Sequence, residues 1–148
     1  MNKQLRQLIA LSLCTTCVSF AWAQNNFISD AAKEPGAKLS PSGLVFRSLQ
    51  EGTGASPSAT DKVKVHYRGT FPDGKEFDSS YKRNQAIEFP LNGVIACWTE
   101  GVQLMKIGGK SKLTCPPAIA YGARGAGGAI PPNATLQFEI ELIAIAGK

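Results

Sequence analysis

Val94-Ile95-Ala96-Cys97-Trp98-Thr99-Glu100-Gly101-Val102-Gln103-Leu104-Met105 is the stretch on which the fold turns. Trp98, Val102 and Met105 recur at i, i+4 and i+7, an apolar stripe on a short helix, with Thr99, Glu100 and Gln103 on the other side. Gly93 ahead and Gly108-Gly109 behind hold the helix to about three turns, too few to persist without packing. The chain on either side reads as strand. The class expected is therefore α+β, an antiparallel β-sheet curled around one short α-helix. Val94, Ile95 and Trp98 at the helix entrance are too apolar for a surface loop, so they are either core or the lining of a pocket.

Upstream, Lys62 to Phe71 alternates cleanly. Val63, Val65, Tyr67, Gly69 and Phe71 share one side; Lys62, Lys64, His66, Arg68 and Thr70 share the other. Pro72-Asp73-Gly74 turns the chain, and Lys75 to Ser79 returns antiparallel, setting Phe77 and Asp78 near the end of the first strand. Ala86 to Leu91 adds a strand before the helix, and Leu44 to Gln50 reads as an edge strand. Downstream, Ser111 to Cys115 is strand-like and Pro116-Pro117 stops it. Tyr121 to Gly128 is a glycine-rich loop, and Thr135 to Ile145 is a long final strand.

The chain has 148 residues, the length of a single domain. Lys3 and Arg6, the apolar run Leu8 to Phe20, and Ala21-Trp22-Ala23 have the pattern of a secretory signal peptide, assigned to residues 1–23. The run is too short for a comfortable span, so no stable membrane anchor is expected. Export follows, to a periplasm in the first instance and otherwise out of the cell. Residues 24–41 are polar and aperiodic and read as a flexible tail, leaving 42–148 as the domain. No helical arm is legible ahead of that domain, and a monomer is expected. Loss of Lys3 and Arg6 takes the formal charge from +5 to +3, and the remaining basic residues are mixed with acidic ones, which is no nucleic-acid footprint. Cys14 and Cys17 leave with the signal. Cys97 and Cys115 remain, in a chain bound for an oxidising compartment, as either a disulfide or two packed thiols.

Several chemistries are excluded. Gly109-Lys110-Ser111 ends like a phosphate-binding loop, but Leu104 stands where that motif needs glycine and a strand follows it. The glycines from Gly122 to Gly128 open no helix, so they make no dinucleotide fingerprint. His66, the single histidine, has no cysteine or second histidine at ligand spacing, and no metal is expected. It also leaves a hydrolytic triad without support. What stands out instead is aromatic: Tyr67, Phe77, Trp98, Tyr121 and Phe138, with the carboxylate of Asp78 among them. Any one of these is ordinary core. Together they read as an apolar pocket with a few placed polar groups, the general form of a small-ligand site.

Val65-His66-Tyr67-Arg68-Gly69, Gly74-Lys75-Glu76-Phe77-Asp78-Ser79-Ser80, Trp98-Thr99-Glu100-Gly101, Ala120-Tyr121-Gly122 and Ile130-Pro131-Pro132-Asn133-Ala134-Thr135-Leu136-Gln137-Phe138 closely resemble, in order and spacing, the FKBP-type peptidyl-prolyl isomerases. The likeness runs from about Leu44 to Ile145. It implies catalytic roles for Tyr67, Asp78 and Tyr121, with Phe77 and Phe138 as walls and Trp98 as the floor under a prolyl ring. It further implies Val94 and Ile95 at the rim, the Ile95 N–H binding a substrate carbonyl, Arg83 steadying Asp78, and Ile87 and Ile130 at the margins. Proline-containing unfolded or partly folded polypeptides would be the substrates, and macrolides such as tacrolimus belong to the family's ligands. No cofactor is implied. A chaperone or proline-segment binding module without catalysis is the alternative.

The chain departs from the family pattern at Cys97, where glycine is usual, and at Cys115, where an aliphatic residue is commoner. A disulfide between them would tie the helix entrance to the strand behind it. Ala126 and Ala129 are small where some members carry bulkier groups over the pocket, which bears on macrolide affinity and substrate preference.

Overall fold

The structure is a computed structural model that describes residues 15–148, with side chains from Ala23 onward. Two strands form its middle. β3 (Lys62–Thr70) and β7 (Leu136–Ile145) pair antiparallel from Val63 opposite Ile145 to Thr70 opposite Gln137. The alternation read in the sequence is the one buried: Val63, Val65, Tyr67 and Gly69 face inward, and Leu136, Phe138, Ile140 and Leu142 meet them from β7. On the far edge of β3 lie β4 (Glu76–Ser79) and β5 (Ile87–Pro90), end to end along the same neighbour. On the other side β7 pairs with β6 (Lys110–Cys115), β6 with β2 (Val45–Gln50), and β2 with β1 (Ala37–Leu39). All pairings are antiparallel.

The anticipated helix is present as α2 (Ala96–Gln103), entered through a 3-10 turn at Leu91–Gly93. Ile95 caps it without a side-chain bond; the Thr99 hydroxyl donates to the Leu91 carbonyl at 2.7 Å and ties the helix to the turn. Trp98, Val102 and Met105 are buried as the stripe requires. A second stripe seats the helix on β6. A Cβ on Gly101 would lie 2.3 Å from Leu113 Cδ2, so only glycine lets the two elements approach this closely. One turn earlier, Cys97 is bonded to Cys115, Cα atoms 5.9 Å apart, and both are fully buried.

Three expectations are corrected. Residues 24–41 are no flexible tail: α1 (Thr15–Lys33) continues through them to Lys33, and Ala37–Leu39 pairs as β1. Leu44–Gln50 is consequently interior, between β1 and β6. A helix does precede the domain, which removes the premise for expecting a monomer. α1 lies on the outer face, because its inward side carries anchors as well as apolar groups. Glu34 accepts from Arg47 at 2.6 Å and from Lys112 at 2.5 Å, on neighbouring strands. Gln24 Oε1 accepts from Thr135 N at 2.9 Å and Thr135 Oγ1 at 2.8 Å, at the head of β7. The hydrogen bond from Lys112 is the largest influence holding the Glu34 carboxyl below its usual range. The signal-peptide reading covers residues 1–23, of which 1–14 lie outside the described residues and 15–23 belong to α1. No described helix is long and apolar enough to cross a membrane.

Cys97 and Cys115 stand 18 positions apart, and closing a loop of that size stabilises a fold by about 3 kcal/mol in the chain-entropy model. Urea unfolding with and without reductant should show a loss of about that size. An unchanged midpoint would mean that the bond constrains nothing the core does not already hold.

Candidate active site

The inner face of the sheet does not close over α2 at one end, and a hollow of about 610 Å³ opens there. Its floor is the Trp98 indole, 5% exposed. Tyr67 and Phe138 stand edge-on to it, with ring centroids at 5.1 and 5.2 Å and interplanar angles of 74° and 90°. Such T-shaped contacts set the positive edge of one ring against the negative face of another. Phe77 meets Phe138 in the same way at 5.7 Å and 86°.

Adjacent residues of a strand ordinarily point to opposite faces, yet Phe77 and Asp78 both line the hollow. The β3–β4 ladder slips between Gly69 and Thr70, and this bulge turns both side chains inward. Gly69 is the other half of the device. It pairs with Asp78 on one side and Phe138 on the other. A Cβ there would fall 2.5 Å from Phe77 Cζ and 3.0 Å from Phe138 Cε1, so the two rings close over bare backbone.

The polar groups gather at one corner. The Tyr67 hydroxyl donates to Asp78 Oδ2, Arg83 Nη1 donates to Asp78 Oδ1, and Arg83 Nη2 donates to the Tyr67 oxygen at 2.9 Å. The Ser79 N–H adds a bond to Asp78 Oδ1 at 2.8 Å. Burial pushes the Asp78 carboxyl up, but the bonds from Tyr67 and Arg83 outweigh it and hold the group below its usual range. Burial, then the bond to Asp78, raises the Tyr67 hydroxyl. At neutral pH the corner is therefore a carboxylate, a neutral phenol and a guanidinium. Behind it, buried Ser80 knits the strands: its hydroxyl accepts from Tyr67 N at 2.7 Å and lies 2.8 Å from His66 Nδ1.

Across the opening stands Tyr121, 38% exposed, its hydroxyl raised by burial and then by the charge of Asp78. Among the described residues neither this hydroxyl nor the Ile95 N–H has a hydrogen-bond partner, and the Trp98 Nε1–H is buried without one. The site thus offers free donors at its rim and floor. Among the described residues no serine, threonine or cysteine lines it, and no group of three His, Cys, Asp or Glu could hold a metal ion.

Of the residues singled out in the sequence, Tyr67, Phe77, Asp78, Ile87, Val94, Ile95, Trp98, Tyr121 and Phe138 surround the hollow. Arg83 stands behind Asp78 and Tyr67, reaching the site through its bonds to them. Ile130 is 5% exposed and packs in the core. Two lining side chains were missed, Glu88 and Phe89, the latter 5.4 Å from the indole. For Phe89 a signal existed, since Ile87 and Phe89 alternate on β5 as Val63 and Val65 do on β3.

The model of the FKBP-type peptidyl-prolyl cis-trans isomerase family matches residues 54–143. The chain is 50% identical over 119 residues to an FKBP-type 22 kDa peptidyl-prolyl cis-trans isomerase of Escherichia coli, covering 80% of this chain and 58% of that one. It is 53% identical over 119 residues to FkpA of Aeromonas hydrophila, covering 80% and 44%. The chain therefore spans about half the length of the curated relatives it matches. Among solved structures, FkpA from Escherichia coli superposes with a TM-score of 0.83 at 44% identity, over 86% of this chain and 60% of that one. A peptidyl-prolyl cis-trans isomerase of Pseudomonas syringae gives 0.80 at 40% identity, over 90% and 98%.

Two outcomes follow from the geometry. Gly69→Ala should cost roughly 1–3 kcal/mol in urea unfolding, because the rings of Phe77 and Phe138 must move; a neutral substitution would show the close approach to be slack. The depressed Asp78 carboxyl contributes stability that is complete above its unfolded value of about 3.9 and is lost as pH falls through the lower folded value. Carboxyl carbon NMR should place the Asp78 midpoint below that of an unstructured aspartate, and a midpoint above it would break the assigned corner.

Proposed function

This chain belongs to the family of FKBP-type peptidyl-prolyl cis-trans isomerases, and from that premise we propose that it accelerates rotation about X–Pro bonds in polypeptides. The carrying observation is the indole-floored hollow, apolar on its walls and supplied with free donors at the rim. A prolyl ring sits on Trp98 between Tyr67, Phe77 and Phe138. The Ile95 N–H and the Tyr121 hydroxyl hold the chain beside it.

Rotation of an X–Pro bond faces a barrier of roughly 18–20 kcal/mol, most of it lost amide resonance. Planar amides are the more polar form, and water bonded to their carbonyl oxygen favours that planarity. Drawing the carbonyl into an aromatic hollow removes the water and costs the planar state more than the twisted one. Catalysis is then preferential stabilisation of the twisted state, with neither a proton transfer nor a covalent intermediate. A differential of about 5 kcal/mol accelerates the step by three to four powers of ten. Asp78 and Arg83 fix the Tyr67 ring, and with it the shape of the wall.

Substrates on this reading are unfolded or partly folded proline-containing chains. The leader-like pattern of residues 1–23 supports action on exported proteins, in a periplasm or outside the cell. A macrolide such as tacrolimus would compete for the same hollow.

Exchange NMR on an Ala-X-Pro-Ala peptide tests the proposal. Wild-type protein should broaden or exchange the cis and trans signals at catalytic concentrations. Asp78→Leu and Tyr67→Ala should each lower turnover severalfold while circular dichroism keeps the fold. Binding of the peptide without exchange would make the hollow a proline-binding module, and full activity in both variants would displace the assigned corner.

A further inference from the structure

A second concavity, about 740 Å³, lies beside the hollow and takes no part in the chemistry above. Its lining is mostly apolar, chiefly Phe27, Phe71, Pro72, Ala129, Pro131 and Ala134, with Asp30, Asp73 and Lys75 at the edge. One wall is α1, outside the residues 54–143 that match the family model. That wall is fixed, since Gln24 holds Thr135 with two bonds and Glu34 holds Arg47 and Lys112.

The groove and the hollow share a partition one ring pair thick. Phe71 faces the groove, Phe77 faces the hollow, and their centroids are 4.9 Å apart. They also share a loop, with Tyr121 bordering the hollow and Ala129 and Pro131 bordering the groove. An extended chain advances at most about 3.3–3.6 Å per residue. Two to four residues of extended chain span roughly 7–14 Å, to be set against a partition whose two ring centroids are 4.9 Å apart.

We propose that this groove is a second subsite for the same polypeptide, taking a large aliphatic or aromatic side chain two to four residues from the proline. The inference rests on the isomerase reading for the occupant of the hollow. Flat walls of proline, alanine and phenylalanine accept such a group through burial alone, so the subsite selects for apolar bulk over a particular residue. Short proline peptides would leave it empty. Unfolded protein segments, in which apolar residues stand near prolines, would fill both.

The test uses the full chain and a series of ten-residue peptides of alanine, serine and one proline, each with a single leucine placed two, three or four residues to either side. Exchange NMR gives kcat/KM, and titration calorimetry gives affinity. One placement should raise kcat/KM about tenfold over the leucine-free peptide through a lower KM, with kcat unchanged. Phe27→Asp, which charges the wall, and Asn26→Trp, which fills the groove from an exposed helix position, should both abolish that gain. Turnover of the tetrapeptide should stay within twofold in either variant. Equal kcat/KM for every placement, or a gain that survives both substitutions, overturns the subsite. A shift in oligomeric state with no effect on peptides also overturns it, and assigns the groove to a second copy. If wild-type protein turns over no peptide, the isomerase reading fails, and leucine-dependent affinity lost in the two variants still decides the groove.

Discussion

Edge-to-face contact with one indole governs the arrangement of the site. Tyr67 and Phe138, from the paired central strands, meet Trp98 edge-on, and Phe89, from the far edge, meets it tilted at 49°. Together these rings wall the hollow above the indole. Its depth depends on how closely α2 approaches the sheet, which Gly101 permits and the Cys97–Cys115 bond maintains.

Much of this was legible in the residues, because the features that build the inner face are periodic. The two-residue alternation of β3 and the stripe at Trp98, Val102 and Met105 report burial on one side of an element, and local sequence carries that directly. Asp78 was legible as the carboxylate among aromatics. α1 was not, for a physical reason: the side that faces the sheet carries Gln24, Phe27, Ile28 and Ala31, and the most buried polar member looks solvent-facing until Thr135 is beside it. Glu34 has the same character, since its partners Arg47 and Lys112 come from distant strands.

The bulge at Gly69 marks another limit. Alternation assigns Phe77 and Asp78 to opposite faces, and only the ladder slip against β3 brings them together. Ile130 stands differently: its place in a matching block implied a margin of the hollow, and the turn it ends buries it beneath the loop. The two faces of the sheet are thus read with unequal success. Apolar burial is a property of a segment, whereas polar anchoring is a property of a pair, and the second partner is invisible until the chain has folded.

The pairing of β3 with β7 carries a consequence for the order of events in folding. Val63 meets Ile145, and nothing between them in sequence can substitute for the last ten-residue strand. A nascent chain leaving the ribosome would therefore carry β3 with β4 and β5 on one side and its other edge open until β7 had emerged. Loop closure on this scale slows folding. The molecule is thereby exposed, during its own synthesis, to the hazard of long-lived unstructured segments.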